Sequence, residues 1–134
     1  MNRIIVDTSS ILFGFANRRS VFESLSKLET KYKPMVSKGI INELGIISRS
    51  KGARGTYARA ALSEIRSMGI RVAESAAYPD RWILSRAAIG SVVVTNDTEL
   101  ARSLPKGVIV LKLSRNGRLR PFNRDREKLN MKHR

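Results

Sequence analysis

The 134-residue chain has no cysteine, one tryptophan, one histidine (His133, beside the C-terminus) and only eleven acidic residues. Without a thiol there is no disulfide framework, no Cys-based zinc site and no thiol nucleophile. A lone histidine at a chain end is poorly placed to be the general base of a serine or cysteine hydrolase. Any catalysis must therefore rest on carboxylates, hydroxyls, amines or metals. No apolar run approaches the roughly 18 residues that a membrane span needs. Asp7 interrupts the apolar stretch behind Arg3, which argues against a signal peptide. The expectation is a cytoplasmic protein with no membrane segment.

What the sequence has in excess is positive charge. Twenty-six Lys and Arg against eleven Asp and Glu give +15, a surplus that attracts polyanions, of which nucleic acid is the usual one. The alternative is a generally solvated basic surface, as on a ribosome-associated scaffold. No segment pairs a basic face with an exposed aromatic one, so nucleic acid is favoured over a membrane surface. Hydrophobic content of 42% and charged content of 28% are ordinary for a packed globular chain, and the length suits one domain.

Short β-branched runs alternate with helical patterns. Ile4-Ile5-Val6 reads as a buried strand ending at Asp7-Thr8-Ser9-Ser10. Ser20 is placed to cap a helix running to about residue 32, with Val21, Phe22, Leu25 and Leu28 on one stripe. A strand over 34–37 precedes a helix over 39–47, and the glycine-bearing stretch 51–55 breaks it from a helix over 56–68. A third strand covers 70–72. Pro79 suits a first helical turn, with a helix continuing to about residue 88. Val92-Val93-Val94 is the most strand-like stretch, followed by a short helix that ends before Pro105 and a fifth strand over 108–111. Asn116-Gly117 looks like a two-residue hairpin turn. The predicted architecture is α/β, a central, mostly parallel sheet of about five strands covered by helices on both faces. The domain is expected over 1–122, C-terminal hairpin included, with a basic, mobile tail over 123–134.

In such a sheet, ligands bind beyond the carboxyl ends of the strands where strand order reverses. Asp7 ends the first strand, Asp97 follows Val92-Val93-Val94, Glu43 lies in the helix after the second strand, and Asp80 opens the helix after the third. All four are expected at one edge of the sheet. Each has a structural alternative. Asp7 and Asp97 could cap helices, and Asp80 could answer only the helix dipole. Glu43 is flanked by Ile40, Ile46 and Ile47 at helical spacing, and Asp80 by Ile83, Leu84, Ala87 and Ala88, which places both on inward faces. There each carboxylate needs a Lys, an Arg or a cation from solution, since an unpartnered buried charge costs roughly several kcal/mol. Clustered carboxylates repel one another, and a divalent ion removes that penalty. Mg²⁺ or Mn²⁺ prefers such oxygen ligands, and the chemistry that follows is phosphodiester hydrolysis by a metal-activated water.

These residues resemble the PIN-domain family of ribonucleases. The likeness lies in Ile-Ile-Val-Asp7-Thr-Ser-Ser-Ile-Leu, Val36-Ser37 followed by Glu43, Asp80-Arg-Trp-Ile-Leu, and Val-Val-Val-Thr95-Asn96-Asp97-Thr98-Glu99-Leu100, and runs from about residue 3 to 111. It implies a three-layer α/β/α sandwich, an endoribonuclease activity, Mg²⁺ or Mn²⁺ at the acids, and RNA as substrate. Asp7, Asp80 and Asp97 would be metal ligands, Glu43 would complete the site directly or through water, and Thr95 would support it. Where some relatives have a second acid after the third motif's Asp, this chain has Arg81. A small antitoxin protein and a homodimer are partners that the resemblance brings with it, in a toxin or an RNA-processing role. The reading from another class is a non-catalytic RNA-binding or assembly factor that keeps the fold.

Arg18-Arg19, Lys51, Arg54 and Arg81 are the candidates for contact with RNA phosphates; the alternative for each is plain solvation. From residue 112 to the end there are nine Lys or Arg against two acids, suited to nucleic acid or to an acidic protein. Trp82 is expected in the core or at an interface rather than in contact with a ligand. Gly52 and Gly55 match no phosphate loop.

Overall fold

Ile4, Ile5 and Val6 are all buried, as a strand covered on both faces requires. They form β1 (Arg3–Val6) in the computed structural model, which describes residues 3–123. The chain continues through α1 (Thr8–Ala16), α2 (Val21–Ser26), β2 (Lys33–Ser37), α3 (Lys38–Ser48) and α4 (Ala53–Ser67). It then runs through β3 (Arg71–Ala73), α5 (Pro79–Arg86), β4 (Val92–Val94), α6 (Thr98–Ser103), β5 (Ile109–Leu113) and β6 (Leu119–Pro121). One six-stranded sheet has the order β3-β2-β1-β4-β5-β6. Every neighbouring pair is parallel except β5 with β6.

This order sets the layers. Crossovers between parallel strands are right-handed, so stepping outward from β1 to β2 to β3 puts α1 to α4 on one face. Stepping the other way, to β4 and then β5, puts α5 and α6 on the opposite face. The reversal falls between β1 and β4, which pair Ile4 with Val92, Ile5 with Val93 and Val6 with Val94. The expected α/β/α architecture is therefore present.

Several boundaries differ from the sequence reading. The hairpin's second arm joins the sheet, making six strands rather than about five. α2 ends at Ser26, not near residue 32, because the chain must return to the start of β2 at Lys33. Leu28, expected on its apolar stripe, is left 43% exposed. α4 begins at Ala53, since Gly52 at φ 94° makes the whole turn out of α3. α5 stops at Arg86, where Ala87 is already extended. The hairpin turn has three residues rather than two: Ser114 N–H donates to Arg118 O (2.8 Å), with Gly117 at φ 84° between them, the bulged geometry that three-residue loops favour. Phe122 is buried, its amide donates to Val110 O, and the Lys112 amine lies 5.3 Å from its ring centre. Most of the expected tail, with His133, lies outside the described residues.

The start of α3 is seated against the loop that leads to Asp80. Gly39 N–H donates to Ser75 O (3.0 Å), and a Cβ at Gly39 would collide with the backbone oxygen of Ala77. Gly39→Ala must displace that loop, so a loss of about 1–3 kcal/mol, the range for overpacked sites, is expected in chemical denaturation.

Candidate active site

Asp7 follows the last residue of β1, and its amide donates to Val94 O (2.9 Å), extending the β1–β4 ladder by one step. That places its side chain at the carboxyl end of both strands, at the reversal point. The chain enters α1 here, yet the carboxylate does not cap the helix. Its Oδ2 instead accepts from the Ser9 hydroxyl and, at 2.9 Å, from the Thr95 hydroxyl. Oδ1 stays outside this set. Asp7 thus holds the N-cap position of α1 without a side-chain capping bond of normal geometry.

Thr95, fully buried one residue past β4, ties the site together. Its Oγ1 donates to Asp7 and accepts the amide of Asp97 at 3.0 Å. Ser9 Oγ accepts the Asn96 amide (3.0 Å) and lies 3.2 Å from Thr95 Oγ1. Both hydroxyl protons point at Asp7, so this network is complete when Asp7 is an acceptor, its ionised role. Asn96 secures the next layer: Ser10 Oγ and Leu113 N–H donate to its Oδ1, and its Nδ2 donates to Leu113 O. The β4–α6 loop is thus fastened to the end of β5. Asp97 does cap a helix, its Oδ1 accepting from Leu100 N at 3.1 Å, with its other oxygen outside that bond.

The electrostatics are those of uncompensated acids. Burial pushes the Asp7 carboxyl above its ordinary value, the Ser9 and Thr95 hydroxyls oppose this, and the charge of Asp80 adds to it. The Ser9 amide, short of cap geometry, helps only weakly. Asp80 is raised too, by desolvation and then by Asp97 and Glu99. Among the described residues, every charged group that shifts Asp7 or Asp80 is another acid.

Two of the four acids sit differently from expectation. Asp80 is exposed, not inward: α5 turns Pro79, Trp82 and Ile83 toward the sheet, because the large Trp82 ring takes the buried place. Glu43 is half-buried, with Ile40 buried before it but Ile46 67% exposed after it. It lines a separate apolar cavity of about 220 Å³ with Tyr78 and Pro79, beside Asp80 in the chain. Charge links Asp80 to Asp7 and to Asp97, and Thr95 bonds Asp7 to the Asp97 amide; Glu43 has neither link among the described contacts. Among the described residues no three acids are grouped as a ready ligand set. The donor chemistry nonetheless suits a hard divalent ion, which commonly takes one or two carboxylates and keeps its waters.

Arg81 is exposed on the first turn of α5, next to Asp80. Lys51 and Arg54 lie at the α3–α4 turn, a helix length of roughly 16 Å from the end of β2. Arg18 and Arg19 end the turn after α1. Sequence reasoning passed over Ser9, Ser10 and Glu99. The signal for the first two was their place in the turn after Asp7, and for Glu99 its position two residues after Asp97.

A match to the PIN like domain family covers residues 4–116. The chain belongs to the PIN-like domain family. Among solved structures it is similar to the PIN domain endonuclease Utp24, with a TM-score of 0.70 and 25% identity over 90% of this chain and 92% of that one. No curated protein matches it. No helix among the described residues is long and apolar enough to cross a membrane.

Because the folded state holds the Asp7 proton more tightly than the unfolded chain does, its ionisation works against folding once pH exceeds the ordinary carboxylate range. In the absence of divalent ions, Asp7→Asn is therefore expected to melt higher than wild type at neutral pH. The advantage should shrink as pH falls toward 3.8, the ordinary value for this group. Melting curves against pH check this; an Asn variant that is less stable at pH 7 would overturn it.

Proposed function

We propose that the chain is a metal-dependent endoribonuclease that hydrolyses RNA phosphodiester bonds at the acidic edge of its sheet. One observation carries the reading: Asp7 is buried at the β1–β4 reversal, held by two hydroxyls, and among the described residues the charge that acts on it is another acid, Asp80. Such a group disfavours folding unless something outside the chain neutralises it. Asp7, Asp80 and Asp97 would hold Mg²⁺ or Mn²⁺, with Glu43 completing the site directly or through water. When bound, the ion lowers the pKa of a coordinated water and neutralises charge on the phosphate.

The chain's own residues divide the remaining work. Ser9 and Thr95 hold Asp7 through Oδ2, which leaves its other oxygen outside those bonds, where it could serve an ion. Thr95 also sets Asp97 through its amide. Arg81 supplies a cation beside the acids that can meet a phosphate oxygen. RNA is chosen as substrate because a surface with +15 net charge gathers a polyphosphate chain, and because the similar solved structure is an endonuclease.

The lack of a ready three-acid group among the described residues favours a second reading, a non-catalytic RNA-binding factor on the same fold. Labelled single-stranded RNA incubated with Mg²⁺, Mn²⁺ or EDTA separates the two. The nuclease reading expects cleavage with either ion and none in EDTA, and a loss of about 100-fold or more in Asp97→Asn. Thr95→Val, which keeps the shape but not the hydroxyl, should lose about 10–100-fold, the usual effect of removing a group that orients a ligand. Cleavage that persists in EDTA, or equally in Asp97→Asn, rejects the metal mechanism. RNA binding with no cleavage under any ion selects the second reading.

A further inference from the structure

α1 ends in an unusual way. Arg18 N–H donates to Phe15 O (3.1 Å) and Arg19 N–H to Gly14 O (2.8 Å), the paired bonds of a Schellman motif. The residue in the left-handed position of that motif is normally glycine, and here it is Arg18, at φ 58°. A non-glycine residue there costs roughly 1–2 kcal/mol. Strain held at one place points to use of the side chain.

The strained turn forms one wall of a cleft of about 360 Å³, and the β5–β6 hairpin forms the other. Ser24 Oγ donates to Gly117 O (2.7 Å), and the Arg19 stem packs on Gly117, where a Cβ would lie 3.2 Å from Arg19 Cδ. The two walls are thereby fastened together. Arg18, Arg19, Lys27 and Arg118 line the cleft with one acid, Glu23, and only Leu28 and Leu119 add large apolar surface. Four cations against one acid give the lining the spaced positive charge that a phosphodiester backbone needs, and no aromatic side chain is there to anchor a protein partner. The hairpin wall of the cleft is also tied to the acidic site. Asn96, between Thr95 and Asp97, grips Leu113 at both backbone groups, and Leu113 leads directly into the hairpin turn.

We propose that this cleft is the subsite that holds the phosphodiester backbone of single-stranded RNA on one flank of the scissile bond; the proposal rests on the nuclease reading. Arg18 and Arg118 face the strand from opposite walls, and the bonds between Asn96 and Leu113 fix the track relative to the acids.

The test measures binding of a labelled single-stranded RNA oligonucleotide to the full chain carrying Asp97→Asn, in EDTA, across a salt series. Arg18→Gly and Arg118→Ala should each weaken binding, together by about tenfold or more. The salt slope should drop by about 0.7 for each phosphate that a variant no longer neutralises. Lys106→Ala, exposed in the turn before β5, serves as the control and should bind as the parent does. Arg18→Gly should also melt no lower than the parent, since glycine is at ease at that φ, which separates removal of a cation from damage to the fold; Arg118→Ala reads the other wall independently. The proposal fails if these variants lose no more than Lys106→Ala, or if polyglutamate competes as well as RNA does. Cleavage by the wild-type chain, assayed separately with Mg²⁺, reports on the nuclease reading alone. Cleavage that is retained while the cleft variants bind normally sinks only the cleft.

Discussion

The Thr95 hydroxyl is the bond on which the rest of the site depends. Its one proton goes to Asp7 at the end of β1, and one of its two lone pairs takes the Asp97 amide beyond β4. Two strands distant in sequence are joined by their backbone ladder up to Asp7, and from there by this side chain. The adjacency exists only because the sheet reverses its order between these two strands. In a sheet ordered as the chain runs, Asp7 and Asp97 would stand three strands apart.

The site works against the fold that builds it. Desolvation raises Asp7, and the other acids add to the penalty on Asp7 and Asp80 rather than relieving it. Around them the chain carries a large positive surplus, so the acidic centre is small and local within a basic field. A cation is drawn to the centre and a polyphosphate to its surroundings. The strained Arg18 turn fits the same pattern, a local cost carried by a well-buried core.

The strands and the cap residues were legible because their signals are local. Val92-Val93-Val94 could scarcely be anything but a buried strand, and Ser20 caps α2 as its side chain suggests, by accepting from Glu23 N. Boundaries that depend on where the chain must go next were less legible, as at the early end of α2. The orientation of α5 was misread because periodicity around Asp80 offered two apolar faces, and the bulk of Trp82 decided between them. The hairpin was visible in Asn116-Gly117, but not its three-residue turn or its docking on Ser24.

What the sequence determined by itself was the alternation of strand and helix, the basic charge, and the placement of Asp7 and Asp97 just past strand ends. Each follows from residue type and local spacing, which short-range sterics translate directly into structure. Only the tertiary structure decided that Asp7 is shared between Ser9 of its own helix and Thr95 across the sheet, that Asp80 faces solvent, and that Glu43 lines an apolar cavity. Those outcomes depend on which surfaces meet across the sheet, and no spacing along the chain encodes a bond between residues 88 positions apart.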